Sequence, residues 1–201
     1  MTNQDYKNAA LAALKGNWSR AVIATVVYLL VAVAVVAIPS RNGSMYSSIV
    51  TLVLDFFLLL PLAAGIANAF RLLFENSDPN VAGNMFNLAF RGNYLHVVAG
   101  MMLVSVVLIF GFMLFIIPGI IWTFAYSMTP YILVENPELS ITDAMKKSRL
   151  MMKGHKFDLF YLELSFIGWA ILSVLTLGIG YIWLQPYMAT SMAAFWDDLK
   201  A

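Results

Sequence analysis

Four apolar blocks, running from Arg20 to Pro39, from Ser48 to about Phe74, from about Val97 to Val134 and from Leu159 to Trp196, constrain what this chain can fold into. About 20 apolar residues carry a helix across a hydrocarbon core roughly 30 Å thick, so each block is long enough to cross a bilayer. As a single helix the third block would reach about 57 Å at 1.5 Å per residue, nearly twice the core, and must fold back. Pro118-Gly119 lies near its middle and reads as a turn. The fourth block has the same excess length and the same solution at Gly178-Ile179-Gly180. The blocks therefore predict six transmembrane helices. With 61% hydrophobic and only 11% charged residues, the chain has too little polar surface for a soluble enzyme of this size. A formal charge of +1 lacks the basic footprint that nucleic acid requires as a partner.

Orientation follows from the basic residues. Lys7, Lys15 and Arg20 precede the first span, Arg71 and Arg91 follow the second, and Lys146, Lys147, Arg149, Lys153 and Lys156 lie between the fourth and fifth. Lys200 follows the last span, and Arg41 alone stands on the other face. Positive-inside bias puts both termini in the cytoplasm of a multi-pass protein of a cell membrane. A cleaved signal peptide is the competing reading of the N-terminus, but its polar leader is long and its apolar stretch exceeds the usual length.

Leu14-Lys15-Gly16-Asn17-Trp18, Phe90-Arg91-Gly92-Asn93-Tyr94 and Met152-Lys153-Gly154-His155-Lys156 share one order: apolar, basic, glycine, polar, large. Each precedes an odd-numbered span. Fourteen positions before the three glycines stand Thr2, Asp78 and Ser140, all preferred N-cap residues. Asp5 and Asp143 follow Thr2 and Ser140 at the capping-box distance, and Pro79 follows Asp78 at a favoured first helical position. Each unit thus predicts a helix of about three turns stopped by its glycine. In the third, Ile141, Ala144, Met145, Ser148 and Met152 form a mostly apolar stripe, and in the first Tyr6, Ala9, Ala10, Ala13 and Leu14 do. Such stripes suit amphipathic helices lying on the cytoplasmic membrane surface. The expected architecture is an all-α polytopic membrane protein: one integral membrane domain over 1–201, built as an internal repeat of three hairpins, about 2–76, 78–136 and 140–198, each preceded by a surface helix.

Within the spans, Pro130-Tyr131 and Pro186-Tyr187 each lie shortly after a turn, with Pro61-Leu62 a weaker counterpart. A proline there frees a backbone carbonyl that a neighbour or water must satisfy, so kinks are expected, which are either functional or purely a matter of packing. The outer turns around Pro118 and Gly178 carry almost no polar side chain. Either hairpins two and three barely reach the far surface, or these turns cover one another, within one chain or in a homo-oligomer.

Asp55 is the acid placed deepest in an apolar run, where an ionised carboxylate costs roughly 2.5 to 3.5 kcal/mol on insertion scales. It suits a proton- or cation-coupled site, or more plainly a protonated or water-reached residue near the outer end of span two. Glu163, about one turn into span five, is expected in an interfacial ion pair with Lys156 or in contact with water. Gln185 and Asn68 suit interhelical hydrogen bonds. The basic run Lys146, Lys147, Arg149, Lys153 and Lys156 suits lipid headgroups, or simply sets topology. His96 and His155 are too few for a zinc site, the chain has no Cys, and no phosphate loop, zinc-protease motif or nucleophile elbow is present. The sequence therefore predicts no enzymatic activity and no cofactor.

At Ile117-Pro118-Gly119-Ile120, Tyr126-Ser127-Met128, Pro130-Tyr131-Ile132-Leu133, Ser140, Ala144, Ser148, Met151-Met152-Lys153-Gly154 and Phe166-Ile167-Gly168-Trp169 the chain resembles a bacterial integral membrane family, domain of unknown function 975 (DUF975). Gly178-Ile179-Gly180 and Pro186-Tyr187 continue the likeness, and Gly16-Asn17-Trp18 looks like the family's N-terminal signature. The similarity covers essentially the whole chain and is most specific from Ile117 to Trp196. It implies a bacterial cytoplasmic-membrane protein and brings no substrate, cofactor or catalytic residue. The expected role is accessory to a membrane protein partner, or the handling of lipid-like or peptide molecules. A small transporter or channel using Asp55 is the alternative, and a membrane-embedded lipid enzyme the third reading.

Overall fold

The computed structural model describes residues 1–40, 45–90 and 94–200, and every regular element among them is helical. Arg41 and the repeat residues Gly92 and Asn93 lie outside the described residues.

Helix α1, Asn3–Leu14, starts at a full capping box: the Thr2 hydroxyl accepts from the Asp5 N–H at 3.3 Å, and the Asp5 carboxylate accepts from the Thr2 N–H at 2.8 Å. The Thr2 N–H and, at 2.7 Å, the Thr2 hydroxyl both donate to the Asp5 carboxylate and hold it below its ordinary pKa. Gly16, directly after the C-cap, has φ +84°, and this left-handed turn suits a residue without Cβ. Helix α2 then runs Trp18–Ser40, α3 Met45–Leu54, and a π-helical turn Asp55–Leu59 leads into α4, Leu60–Asn76. Pro61 has no N–H for the carbonyl four residues back, that of Phe57, and the Tyr94 hydroxyl donates to that carbonyl instead.

Helix α5, Val81–Phe90, begins later than the sequence suggests. Asn80 Oδ1 accepts from the Gly83 N–H, the N3 position, at 3.3 Å, so Asn80 rather than Asp78 is the cap. Asp78 instead accepts from the Asn80 N–H and the Asn84 side chain, at 2.9 and 2.7 Å. The reason is local: two cap-forming residues stand two positions apart, and Pro79 between them fits an extended approach.

Helix α6, Tyr94–Leu114, turns back at Phe115 into α7, Ile116–Tyr126. The turn is therefore not at Pro118-Gly119, which lie in the first turn of α7, where a missing N–H costs nothing. Gly119 serves close packing: a Cβ there would meet the Phe112 ring at 2.5 Å. The chain breaks at Ser127–Met128 ahead of Pro130, which sits in the first turn of α8, Thr129–Glu135. Helix α9, Ile141–Met151, is capped by Ser140, whose hydroxyl accepts from the Asp143 N–H at 3.2 Å, and Gly154 beyond it has φ +95°. The last hairpin comprises α10, Lys156–Leu164, α11, Ile167–Leu175, and α12, Tyr181–Lys200, with Gly178 at φ +86° in the expected turn. Helix α12 runs through Pro186 without a break.

Five helical stretches among the described residues are long and apolar enough to cross a membrane: Trp18–Ala37, Ser48–Asn76, Tyr94–Leu114, Ile116–Glu135 and Lys156–Leu175. Helix α12 is not one of them: Gln185, Pro186, Thr190 and Ser191 interrupt its apolar residues, and it ends on Asp197, Asp198 and Lys200.

The stripes expected to face lipid are covered by protein. Tyr6, Ala10 and Leu14 of α1, Val81 and Met85 of α5, and Ala144, Met145 and Ser148 of α9 are all buried. Helix α1 packs on α12, α5 on α4, and α9 on α8. Ser148 explains why a hydroxyl sits in an apolar stripe, since it donates to the Ala125 carbonyl at 2.9 Å. The core is concentrated around Met128–Leu133, Leu159, Leu162, Phe195 and Trp196, with a second cluster of Leu62, Phe70 and Leu73 against α5 and α2.

Tyr6 fastens α1 to α12: its ring meets Phe195 edge-on at 5.3 Å and its hydroxyl donates to Asp198 at 2.6 Å. That hydrogen bond, helped by the N-terminal ammonium, holds the Asp198 carboxyl below its usual pKa against the opposing effect of burial. A depressed carboxylate contributes stability above its unfolded pKa, and loses it as pH falls through the folded one. Tyr6→Phe is therefore expected to cost on the order of 1 to 2 kcal/mol at neutral pH. The gap from the parent closes below about pH 4, where the ordinary carboxyl protonates. Thermal unfolding of both proteins in mild detergent across pH checks this.

Candidate functional site

The end of α4 meets the ends of α8 and α12 in a network of charges. Arg71 Nη1 donates to Glu75 Oε2 at 2.8 Å and to Glu135 Oε1, while Nε and Nη2 donate to Asn68 Oδ1 at 3.1 and 2.7 Å. Lys200 Nζ donates to Glu75 at 2.7 Å and to Glu135 at 3.0 Å. The Trp196 indole N–H points at the same Glu135 oxygen at 3.4 Å, its ring stacked on Tyr131 at 5.4 Å with Lys200 Nζ 5.3 Å from its centre. Burial pushes the Lys200 pKa down, but the hydrogen bonds to Glu75 and Glu135 and their charges outweigh it and hold the amine above the ordinary lysine range. Arg71 is only 11% exposed, so this is a partly desolvated clasp and not a surface ion pair.

None of Arg71, Glu75, Glu135, Trp196 or Lys200 is singled out by the sequence as a site residue. Each charged one stands near the polar end of a span, where a solvated charge is the ordinary reading, and Trp196 reads there as an interfacial aromatic. The available signal is that Arg71 and Glu75 are one helical turn apart.

Beside the clasp a cleft of about 270 Å³ opens between α4, α8, α10 and α12. Its walls are apolar, including Ile66, Leu162, Met188 and Met192, and its polar groups are Tyr131, Glu163, Tyr181 and Gln185. Gln185 Oε1 accepts from the Thr25 hydroxyl at 2.7 Å, the interhelical bond expected of an amide in a span. Asn68 turns to Arg71 of its own helix. Glu163 does not reach Lys156: it is exposed, as contact with water requires, its carboxylate has neither an ion-pair nor a hydrogen-bond partner among the described residues, and it lines the cleft. The cause is helical geometry, since Lys156 is seven residues, nearly two turns, before Glu163 at the opposite end of α10. A second groove, of about 520 Å³, is lined by Trp18, Trp169, Trp183 and Tyr187 among others.

The structure thus brings Tyr131 and Glu163 to one cleft. Tyr187 lines the second groove and meets the Phe166 ring edge-on at 5.1 Å. Asp55 is half-buried in the π-helical turn and lines neither cavity. Pro130 stands in the first turn of α8 and Pro186 inside α12, each next to its tyrosine. Asn17 receives Arg20 at 3.4 Å, and His155 pairs with Asp158 at 3.1 Å on the surface, both acting locally beside their glycines. Lys146, Lys147, Arg149 and Lys153 are exposed and Lys156 half so. Leu150 and Phe157, interspersed among them, are exposed too, at 71% and 72%.

A family model described as Protein of unknown function (DUF975) matches residues 81–201, more than half of the chain. The match takes in α5 to α12 and leaves Gly16-Asn17-Trp18 outside it. No curated protein and no solved structure matches the chain.

Proposed function

The chain belongs to the DUF975 family, whose description assigns no activity, and from that premise we propose a non-enzymatic role in the bacterial cytoplasmic membrane, the handling of lipid-like molecules. The observation that carries this reading is the cleft beside Glu163: apolar walls, one unpaired carboxylate and two tyrosines suit an acyl or similar chain with a polar or cationic head. Six membrane-embedded helices form three hairpins that enter from the cytoplasmic side, where both termini lie. The units are 2–76, 78–136 and 140–198. In support, Thr2 and Ser140 cap equivalent helices, Gly16 and Gly154 share the left-handed conformation, and α1, α5 and α9 each lie along a returning helix. The basic run from Lys146 to Lys156, with exposed Leu150 and Phe157, meets anionic headgroups.

An accessory role beside a protein partner belongs to the same non-enzymatic class. Transport is the second reading, favoured by Asp55 at the start of a π-helical turn, a geometry frequent at functional sites.

Purification in native-lipid nanodiscs followed by mass spectrometry tests the choice. A retained lipid-like species, depleted in Glu163→Gln and unchanged in Asp55→Asn, is the expected result. A stoichiometric protein partner without a retained molecule would establish the accessory role instead. An ion-dependent flux in vesicles that disappears with Asp55→Asn would establish transport.

A further inference from the structure

Two of the hairpin tips expose apolar side chains. Between α6 and α7, Met113, Phe115, Ile116 and Ile117 are 71 to 82% exposed, and in the α11–α12 turn Leu175 and Leu177 are 73% and 94% exposed. Neither tip presents a charged side chain to a headgroup layer. How deep these tips sit can be read from the charged groups that lie alongside the same helices.

In the second hairpin, Lys146 and Arg149 of α9 share one cleft with Tyr126, Leu103 and Val107. Tyr126 ends α7, whose 11 residues reach back to the tip, a length of about 16 Å. In the third hairpin, Lys7 of α1 donates to the Ser165 carbonyl at 3.3 Å and lies over the Phe166 ring. From there α11 has 9 residues before the tip, about 13 Å. Two unrelated sets of contacts therefore leave about half of a hydrocarbon core roughly 30 Å thick between these charges and the tips. Helix α6, at 21 residues, is longer because its first nine residues lie on the other side of Leu103 from the tip.

The first hairpin supplies the ruler. Helix α2 has 23 residues, about 34 Å, enough to cross. Thr25 on α2 is hydrogen-bonded to Gln185 on α12, about one helical turn from Tyr181, where α12 begins. The third tip thus stands level with the middle of α2, not with its far end. The tryptophan-lined groove agrees, since it is bounded both by Trp18 at the start of α2 and by Thr176 and Gly180 in the tip. Were the tips pushed out to the far headgroups, Lys7, Lys146 and Arg149 would be drawn into hydrocarbon, where ionised side chains are strongly disfavoured.

We propose that only the first hairpin crosses the bilayer, and that the α6–α7 and α11–α12 hairpins end near its midplane, their tips covered by the acyl chains of the cytoplasmic leaflet. The inference rests on the membrane location and orientation proposed above. It makes the protein a wedge that displaces more lipid from one leaflet than from the other.

The chain has no cysteine, so single-cysteine variants of the full-length protein report depth directly. Asn42→Cys, Ile117→Cys and Leu177→Cys are compared in intact cells and in inverted membrane vesicles with a membrane-impermeant maleimide. They are then compared in liposomes after attachment of a fluorophore, with nitroxides placed at the headgroup or at the acyl-chain end. The expected result is labelling of Asn42→Cys from outside and loss of labelling of the other two from both sides, with strongest quenching by the acyl-chain-end nitroxide. Labelling of Ile117→Cys or Leu177→Cys from outside would overturn the proposal, as would resistance to every nitroxide, which would mean that protein covers the tips. Release of the parent protein from membranes by alkaline wash would overturn the membrane reading itself. Labelling of Asn42→Cys only in inverted vesicles would overturn the orientation.

Discussion

Arg71→Met is expected to destabilise the bundle by about 3 kcal/mol, the lower end of what removing one partner of a buried ion pair costs. The guanidinium satisfies Asn68, Glu75 and Glu135 together, and methionine keeps much of its volume while removing every donor. Lys200 still reaches both carboxylates, which sets the loss at the lower end. Adding Glu135→Gln removes the surplus negative charge and is expected to restore about half of the loss, since a neutral buried pair replaces an unbalanced one. Thermal unfolding of the single and double variants in nanodiscs measures both. A single variant within about 1 kcal/mol of the parent would mean that the cluster is screened like a surface pair.

Trp196→Ala is expected to cost about 3 to 5 kcal/mol, the usual range for emptying a fully buried aromatic site. At 1% exposure the indole is stacked on Tyr131, has Lys200 Nζ over its ring and points its N–H at Glu135. Trp196→Phe keeps a ring against Tyr131 and gives up the N–H donor, so its loss is expected to be less than half as large. Equal losses in the two variants would assign the stability to the indole N–H and not to packing. Chemical unfolding followed through the remaining tryptophans discriminates between them.

The elements were legible wherever the governing chemistry is local. Thr2 and Ser140 cap their helices because a hydroxyl three residues before an N–H satisfies it whatever lies further off. The glycines at 16, 154 and 178 stop helices for an equally local reason, a backbone angle that side chains resist. Local signals misled where two of them compete. Asp78 and Asn80 both suit a cap, and Asn80 is the one whose side chain reaches an N3 N–H, that of Gly83, while Asp78 holds Asn80 and Asn84. Pro118 suits a turn and the first turn of a helix equally, and the break fell three residues earlier at Phe115.

The candidate site was legible only in part. Tyr131 and Glu163 are visible as unusual residues in apolar runs, but that they share a cleft is a property of how α8 meets α10. The clasp is harder still, because Arg71, Glu135 and Lys200 are 60 or more residues apart and each is unremarkable alone. The stripes of α1 and α9, expected on the membrane surface, are buried against α12 and α8. Periodicity alone does not say whether lipid or protein covers such a face.

The clasp also dictates an order of assembly. Arg71 and Glu75 leave the ribosome together and form a balanced pair within one helix. When Glu135 arrives with the second hairpin, the same locus carries a negative charge with no counterpart, and it stays so until Lys200 follows at the end of the third. A half-made chain therefore holds an electrostatic vacancy that only its own last helix fills, which favours docking of α12 over premature closure of the first two hairpins on each other.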